Sequence, residues 1–270
     1  MKKVEIEGIA KETHVDEYSK KLKLTQHLYL MLHFILEDCE TLTALCQSLH
    51  SSNTKRKGLV SISKGQLSGV NESRDYRVLG WIFYELLYLI LHKHQALLKV
   101  CKELTLIGID ATSIMLDLPF ATYGYHSLTQ TIEKGIKLHL AAVLGKSTLP
   151  LTAMVTPMNV SDSTEFDQVL TDVGIFVDLS RVMLVFDKGY WNLKRFKDLT
   201  TNGIRFIVPT KSGIKYTVLK RGKGKKWEDM TIEFTSLPEA QFRLVVIRDK
   251  EGDLSYLTNN FEPPPPQIHR

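Results

Sequence analysis

Two aspartates each follow an apolar run of strand length, and this repeated pattern is the clearest sign of chemistry in the chain. Asp110 ends the run LTLIGID, and Asp187 ends RVMLVFD, which continues as Lys-Gly-Tyr-Trp. If the two runs are parallel neighbouring strands, both carboxylates emerge at one edge of a sheet, in strands about 4.8 Å apart. Carboxylates that close repel each other unless a cation lies between them, and hard oxygen ligands suit Mg²⁺ or Mn²⁺. The sequence therefore predicts a divalent-cation site at Asp110 and Asp187.

Each of these residues also has a purely structural interpretation. Asp187 stands close before a predicted helix, Trp191 to Asn202, and an Asp in that place often caps the helix. Asp110 precedes Ala-Thr-Ser and could be a turn residue. His139, which alternates with Lys137 on one face of the second strand, either borders the acids or is a hydrogen-bonded core histidine.

The elements that must position these acids can be read from the spacing of apolar residues. Helical spacing from Lys20 to Leu49 and from Tyr76 to Leu98 predicts an all-helical first hundred residues. After Cys101 the apolar runs predict three strands, a helix, a strand, a helix and a strand. A right-handed crossover would return the fourth strand beside the first. Beyond Lys211, alternating polar and apolar residues predict antiparallel strands.

The predicted fold class is α/β, or α+β over the whole chain. It combines a helical N-terminal domain, a mixed sheet with flanking helices, and an antiparallel β insertion. The predicted domains are residues 1–100, 101–212 and 213–262, followed by a proline-rich end at 263–270 that can be neither helix nor central strand.

Composition excludes some classes of function and leaves others open. The 270 residues are 43% apolar and carry a net charge of +5, a mild excess that tolerates a polyanionic partner without requiring one. No apolar stretch approaches the roughly 20 residues that span a bilayer, and the N-terminus lacks a secretory pattern. Three cysteines match no disulfide framework or metal knuckle. We expect a cytoplasmic protein without a membrane partner.

Six segments together resemble insertion-sequence transposases with a DDE, ribonuclease-H-like domain, and most resemble the insertion-sequence-four type. They occur in the order of that family, and the likeness extends over about residues 20 to 262. The segments are LIGIDATSI, GIKLHLAAVL, VTPMNVSDSTEFDQVL, LVFDKGYWNLKRFKDL, GIRFIVPTKSG and SYLTNNF. The Asp-x-Gly-Tyr motif at Asp187 to Tyr190 is the most specific of the matching features.

The resemblance implies roles for particular residues. Asp110 and Asp187 become the first two catalytic acids and hold Mg²⁺ or Mn²⁺, and Tyr190 becomes the motif tyrosine. Lys188 stands where many members have Arg, so it offers a phosphate a point charge and not a bidentate fork. The implied partners are transposon-end and target DNA, which the family cleaves and joins in transposition, a form of DNA recombination.

One departure from the family pattern concerns the third acid. Members continue past the β insertion into a helix that carries a catalytic Glu, whereas the Glu residues after Asp187 lie in the insertion or directly before the prolines. We expect a chain truncated before that helix and inactive alone, unless a homodimer or another partner supplies the Glu. Two rivals stay open: a DNA-binding transposase fragment that does not cut, and an unrelated metal-dependent phosphoesterase.

Two basic segments could contact a phosphate backbone. KRGKGKKW, Lys220 to Trp227, concentrates cations at a predicted hairpin tip, although a solvated turn also explains it. NTKRKG, Asn53 to Gly58, is a weaker case of the same kind. Besides Lys188 and Tyr190, the predicted DNA contacts are Lys211, Arg221, Lys223, Lys225 and Lys226.

Overall fold

The computed structural model describes residues 6–50, 59–93, 105–116, 121–126, 130–145, 148–250 and 252–262. The chain divides into two compact units, residues 1–93 and 94–270. The finer domain limits drawn from the sequence stay a prediction. The basic segment at 53–58 and the proline-rich end at 263–270 both lie wholly outside the described residues.

The N-terminal unit is helical in its described part. Its helices are α1 (Ile6–Glu12), α2 (Leu24–Leu36), α3 (Leu42–Ser48), α4 (Lys64–Ser73) and α5 (Arg77–Lys93). Leu30, Leu45 and Leu67 are fully buried in one cluster between α2, α3 and α4. The hydroxyl of Thr41 accepts the amide of Ala44 and so caps α3. No described helix of the chain is both long enough and apolar enough to cross a bilayer.

The C-terminal unit is built on one large mixed sheet. Its strands are β1 (Thr105–Met115), β2 (Thr122–His126), β3 (Thr131–Leu144), β4 (Leu149–Pro157), β5 (Val182–Phe186), β6 (Arg205–Pro209), β7 (Tyr216–Lys223), β8 (Trp227–Phe234), β9 (Leu237–Asp249) and β10 (Gly252–Thr258). Along the sheet the order is β2-β3-β1-β5-β6-β10-β9-β8-β7, and β4 also pairs with β3.

The first half of this sheet has the predicted topology. Strand β1 is antiparallel to β3 and parallel to β5, and β5 is parallel to β6. Strand β4 continues the antiparallel meander on the other side of β3. The mixed α/β fold with a ribonuclease-H-like sheet is confirmed.

Two details of these strands differ from the prediction. Strand β1 does not end at Asp110 but runs on to Met115, because the long β3 continues to pair with it as far as Gly135. The short strand β2 was not predicted, and it pairs with the first residues of β3. A glycine is required at residue 135 of β3, because a β-carbon there would lie 2.2 Å from the carbonyl oxygen of Ile114 on β1.

Two helices, α6 (Asp162–Phe176) and α7 (Leu193–Thr201), pack near the central strands. Phe186 of β5 lies against Phe166 of α6 and Phe196 of α7, with ring centroids 5.0 and 6.2 Å away. Side chains alternate along a strand, so Val185 points away from this aromatic cluster. The strand that carries Asp187 is thus anchored from one face of the sheet.

The predicted β insertion is not a separate sheet. Strands β7 to β10 extend the central sheet, because β10 pairs with β6 as well as with β9. Asn259 reinforces the junction: its side-chain oxygen accepts the amide of Phe206 at 3.0 Å, and its nitrogen donates to the carbonyl of Ile204 at 2.9 Å. The site-bearing strands and the C-terminal strands therefore share one hydrogen-bonded framework.

Candidate active site

The two predicted acids lie on neighbouring parallel strands at the same level. Ile109 of β1 is in register with Phe186 of β5, and Asp110 and Asp187 are the next residues along their strands. Both aspartates are exposed, and both line one groove. The apolar floor of the groove includes Leu140 and Val185.

The backbone after Asp187 is fixed by local bonds. Residues Lys188–Tyr190 form a single 3₁₀ turn, in which the amide of Tyr190 donates to the carbonyl of Asp187 at 3.0 Å. The buried guanidinium of Arg195 binds Asp167 at 3.0 Å and both the hydroxyl and the carbonyl of Ser163. It also reaches the carbonyl of Tyr190 at 3.4 Å. Arg195 therefore ties the turn that bears Asp187 to helix α6.

The capping interpretation of Asp187 is wrong for the helix that follows it. Asn192 is the N-cap of α7, and its side-chain oxygen accepts the amide of Arg195 at 3.2 Å. Asp187 precedes the 3₁₀ turn, but its carboxylate makes no capping bond there. Asp110 is not a turn residue, because it lies inside β1; its Oδ1 accepts the amide of Ala111 at 2.8 Å.

The acid pair fits a divalent cation in chemistry and in exposure. Within the described residues neither carboxylate forms an ion pair, and oxygen ligands of this kind are those that Mg²⁺ and Mn²⁺ prefer. Yet no group of three or more His, Cys, Asp or Glu side chains in the described part of the chain is placed to hold a metal ion. The pair alone offers a small ligand set.

His139 lies apart from Asp110. Because Asp110 is in register with Leu140 and Ala111 with His139, Asp110 and His139 point to opposite faces of the sheet. His139 is fully buried, and its Nε2 lies 2.9 Å from the hydroxyl of Thr156. Burial lowers the pKa of His139, although the negative charges of Asp162 and Glu165 oppose that shift. Its place as a residue that lines the site stays a prediction.

The motif residues beside Asp187 differ in exposure. Lys188 is exposed, whereas Tyr190 is almost completely buried between Phe166 and Phe186. Burial raises the pKa of Tyr190 well above its ordinary value, and the charges of Asp162, Asp110 and Asp187 raise it further. A phenol this buried cannot reach a DNA backbone directly, so the structure does not support a direct DNA contact by Tyr190.

The other predicted DNA contacts lie on exposed surface. Lys211 follows β6, which is parallel to β5, so it stands at the sheet edge where Asp187 lies. Four further cations lie on or beside the β7–β8 hairpin and are exposed: Arg221, Lys223, Lys225 and Lys226. Lys223 is 3.6 Å from the carboxylate of Glu228, and Arg221 rests on the sulfur of Met230. The hairpin is a basic surface, separate in sequence from the acid pair.

Sequence reasoning missed Asp162, Gly189 and Arg195. Asp162 directly follows Ser161, the N-cap residue of α6, so the local sequence gives it only the place of an acidic residue in a first helical turn. Lys137 binds Asp162 at 2.9 Å, a contact between β3 and α6 that no local pattern encodes. For Gly189, the only available signal was its place inside the Asp-x-Gly-Tyr motif.

Comparison with known protein families gives a match over residues 102–270, to the transposase DDE domain. The chain belongs to the transposase DDE domain family. The match covers both aspartates and the whole sheet of the C-terminal unit. In this DDE domain, Asp110 lies on β1 and Asp187 directly follows the adjacent strand β5 of the ribonuclease-H-like sheet. No curated protein matches the chain.

Two solved transposase structures are similar to this DDE-domain chain. One is the piggyBac transposase in a synaptic complex with hairpin DNA, at 11% identity and a TM-score of 0.48, with 88% of this chain and 51% of that chain covered. The other is the Mos1 transposase in a paired-end complex with the left transposon end, at 13% identity and a TM-score of 0.26, with coverages of 67% and 57%. The chain thus spans about half the length of the piggyBac chain.

Proposed function

We propose that this chain is the catalytic part of a transposase of the insertion-sequence-four type, which binds DNA in the cytoplasm and cleaves and joins it with a divalent cation. The observation that carries the proposal is the position of Asp110 and Asp187, each directly after the register pair Ile109–Phe186 of two adjacent parallel strands, in a chain of the DDE family. Their exposure leaves both carboxylates accessible to a cation and to a phosphodiester.

Asp110 and Asp187 are the residues that would hold Mg²⁺ or Mn²⁺. Such a cation, when bound, activates water and stabilises negative charge on a phosphoryl group. The protein contributes fixed positions for the two carboxylates: the long β1–β3 pairing holds Asp110, and the packing of Phe186 with the turn at Lys188 holds Asp187. Lys188, exposed next to Asp187, supplies positive charge for the phosphate.

The β7–β8 hairpin is the proposed DNA-backbone contact. Its exposed cations can neutralise phosphates without reading sequence, because phosphate contacts position a protein and carry no base information. Lys225 and Lys226 at the turn form no ion pair within the described residues, whereas Lys223 is partly neutralised by Glu228. We therefore assign most of the hairpin's affinity for DNA to Lys225 and Lys226.

The third acid is proposed to come from a Glu on a segment outside the described residues, in this chain, in a second copy or in another partner. Three of the four described Glu residues after Asp187 support this, because they are engaged or remote. Glu228 pairs with Lys223 and Arg248, and Glu239 with Lys197. Glu233 lies on β8 at the far end of the sheet order from β1.

The test is duplex-DNA binding and nicking by the 270-residue chain in Mg²⁺, beside Asp110→Asn, Asp187→Asn and Lys225→Ala/Lys226→Ala. We expect salt-sensitive binding by the wild type, and weaker binding with a salt dependence reduced by about one unit per lysine for the double variant. Asp172→Asn is the control for charge, because Asp172 lies on α6 and accepts from Thr152 and Gln168.

The nicking result separates the proposal from its rivals. We expect Mg²⁺-dependent nicking when a Glu-bearing segment completes the site. That activity should disappear in either Asp→Asn variant. Nicking by the unextended chain, lost in Asp110→Asn, would show that the third acid is already present. DNA binding without cleavage under every condition would favour the non-cutting fragment.

A further inference from the structure

A third carboxylate stands across Gly189 from Asp187. A β-carbon added at Gly189 would lie 3.3 Å from Asp162 Oδ2 and 4.0 Å from Asp187 Oδ2, so these two oxygens are at most about 7 Å apart. Asp162 is in the first turn of α6 and is only partly exposed. The absence of a side chain at residue 189 keeps the space between the two carboxylates open.

Lys137 holds Asp162 in its present position. The ammonium group of Lys137 is mostly buried and donates to Asp162 Oδ1 and to the carbonyl of Val160, both at 2.9 Å. If Asp162 turned away, Lys137 would keep the carbonyl bond. A divalent cation beside Asp187 would attract the Asp162 carboxylate more strongly than a single ammonium charge does.

The hydroxyl of Tyr190 is the second sign of a ligand at this place. It is buried and has no hydrogen-bond partner among the described residues, which is uncommon for a buried phenol. Its ring is held by Phe166 and Phe186, three residues along the chain from Asp187. Burial is the main cause that raises the pKa of this hydroxyl, and the charges of Asp162, Asp110 and Asp187 raise it further.

We propose that Asp162 is a further carboxylate of the cation site, exchanged between Lys137 and a divalent cation held next to Asp187 across Gly189. This inference rests on the proposed function, because it takes Asp110 and Asp187 as the primary cation ligands. It adds a residue on α6 to a site otherwise formed by strand residues. In this arrangement Lys137 competes with the cation for the Asp162 carboxylate. Residue 189 must lack a side chain, because the space between the two carboxylates has to stay open.

A purely structural role for Asp162 would be different. Acidic residues in the first turn of a helix stabilise it through the helix dipole, and Glu165 stands in the same turn of α6. Glu165→Gln is therefore a matched control, because it removes the same kind of charge from the same turn.

The experiment is Mn²⁺ titration of the full 270-residue chain by calorimetry, with electron paramagnetic resonance to count bound ions. The variants are Asp110→Asn, Asp187→Asn, Asp162→Asn, Glu165→Gln, Lys137→Met, Lys137→Arg and the double variant Lys137→Met/Asp162→Asn. Thermal denaturation of each checks folding. We expect Asp162→Asn to weaken Mn²⁺ binding on the order of tenfold, Glu165→Gln to leave it unchanged, and Lys137→Met to tighten it several-fold.

The double variant decides whether the higher Mn²⁺ affinity of Lys137→Met depends on Asp162. If Lys137 merely repels the cation, its removal should tighten binding equally with or without Asp162; if it competes for Asp162, the gain should vanish in the double variant. Lys137→Arg, which keeps the charge, should show no gain. Equal Mn²⁺ affinity of Asp162→Asn and Glu165→Gln, or a gain that persists in the double variant, would overturn the inference alone. Unchanged binding in Asp110→Asn and Asp187→Asn would overturn the proposed function as well.

Discussion

Arg195 offers the sharpest test of how the turn after Asp187 is held. In Arg195→Met the aliphatic stem is kept, but the donors to Ser163 and Tyr190 are lost. Leaving a buried carbonyl without a donor costs roughly 1–3 kcal/mol. The ion pair with Asp167 adds little, because that carboxylate is 76% exposed and exposed pairs contribute about 0–1 kcal/mol. The stacking of the guanidinium on Phe166, 4.7 Å from the ring centroid, is lost too.

Taken together, these losses predict a decrease of about 3 kcal/mol in the free energy of unfolding of the C-terminal unit. For a unit of this size, that corresponds to a melting temperature lower by roughly 6–12 °C. Calorimetry and urea denaturation of the full chain measure both quantities. Asp167→Asn is the matched control and should cost less than about 1 kcal/mol. The reasoning is refuted if Arg195→Met stays within 1 kcal/mol of wild type, or if Asp167→Asn costs as much.

Two further predictions concern pH and backbone packing. Burial lowers the pKa of His139, so this side chain binds a proton more readily in the unfolded chain than in the folded one. The free energy of unfolding should therefore fall as the pH drops below about 6.5. For this one group the decrease is at most about 1.4 kcal/mol per pH unit. Urea denaturation at several pH values should show a shallower decline in His139→Gln, and an unchanged decline would contradict this assignment. Gly135→Ala should destabilise the chain by about 1–3 kcal/mol or more, because the new methyl group meets the carbonyl of Ile114. Gly69→Ala in the open surroundings of α4 should instead stabilise it by about 0.5–1 kcal/mol in the same assay.

The sequence predicted the central strands of the sheet because the patterns that mark them lie within short stretches of the chain. Apolar runs before Asp110 and Asp187 marked two strands, and the right-handed crossover rule placed them side by side. The length of β1 could not be read in the same way, since it depends on how far β3 continues to pair with it. The pairing of β10 with β6 joins residues about fifty positions apart, which no hydrophobic pattern specifies.

The sequence predicted that the two acids lie on neighbouring strands, but it did not predict the residues around them. The apolar runs before them identified Asp110 and Asp187, but the contacts around them come from side chains brought together by the fold. Arg195 reaches Asp167 across 28 positions of sequence, and Lys137 reaches Asp162 across 25. Asp162 beside a helix start looks like a cap, so its closeness to Asp187 becomes visible only in three dimensions.

The place of β10 in the sheet has a consequence for how the polypeptide acquires its shape during synthesis. A ribosome makes β6 well before β10, yet β10 is the strand that lies between β6 and β9. Until residues 252–258 emerge, one edge of β6 has no partner strand in the described sheet, and β7 to β9 can form only a detached meander. Late closure of this kind favours slow folding and exposes strand edges to misassembly. We therefore expect nascent chains arrested before β10 to aggregate or to be bound by chaperones, and chains that include Asn259 to be protected from proteolysis within β6.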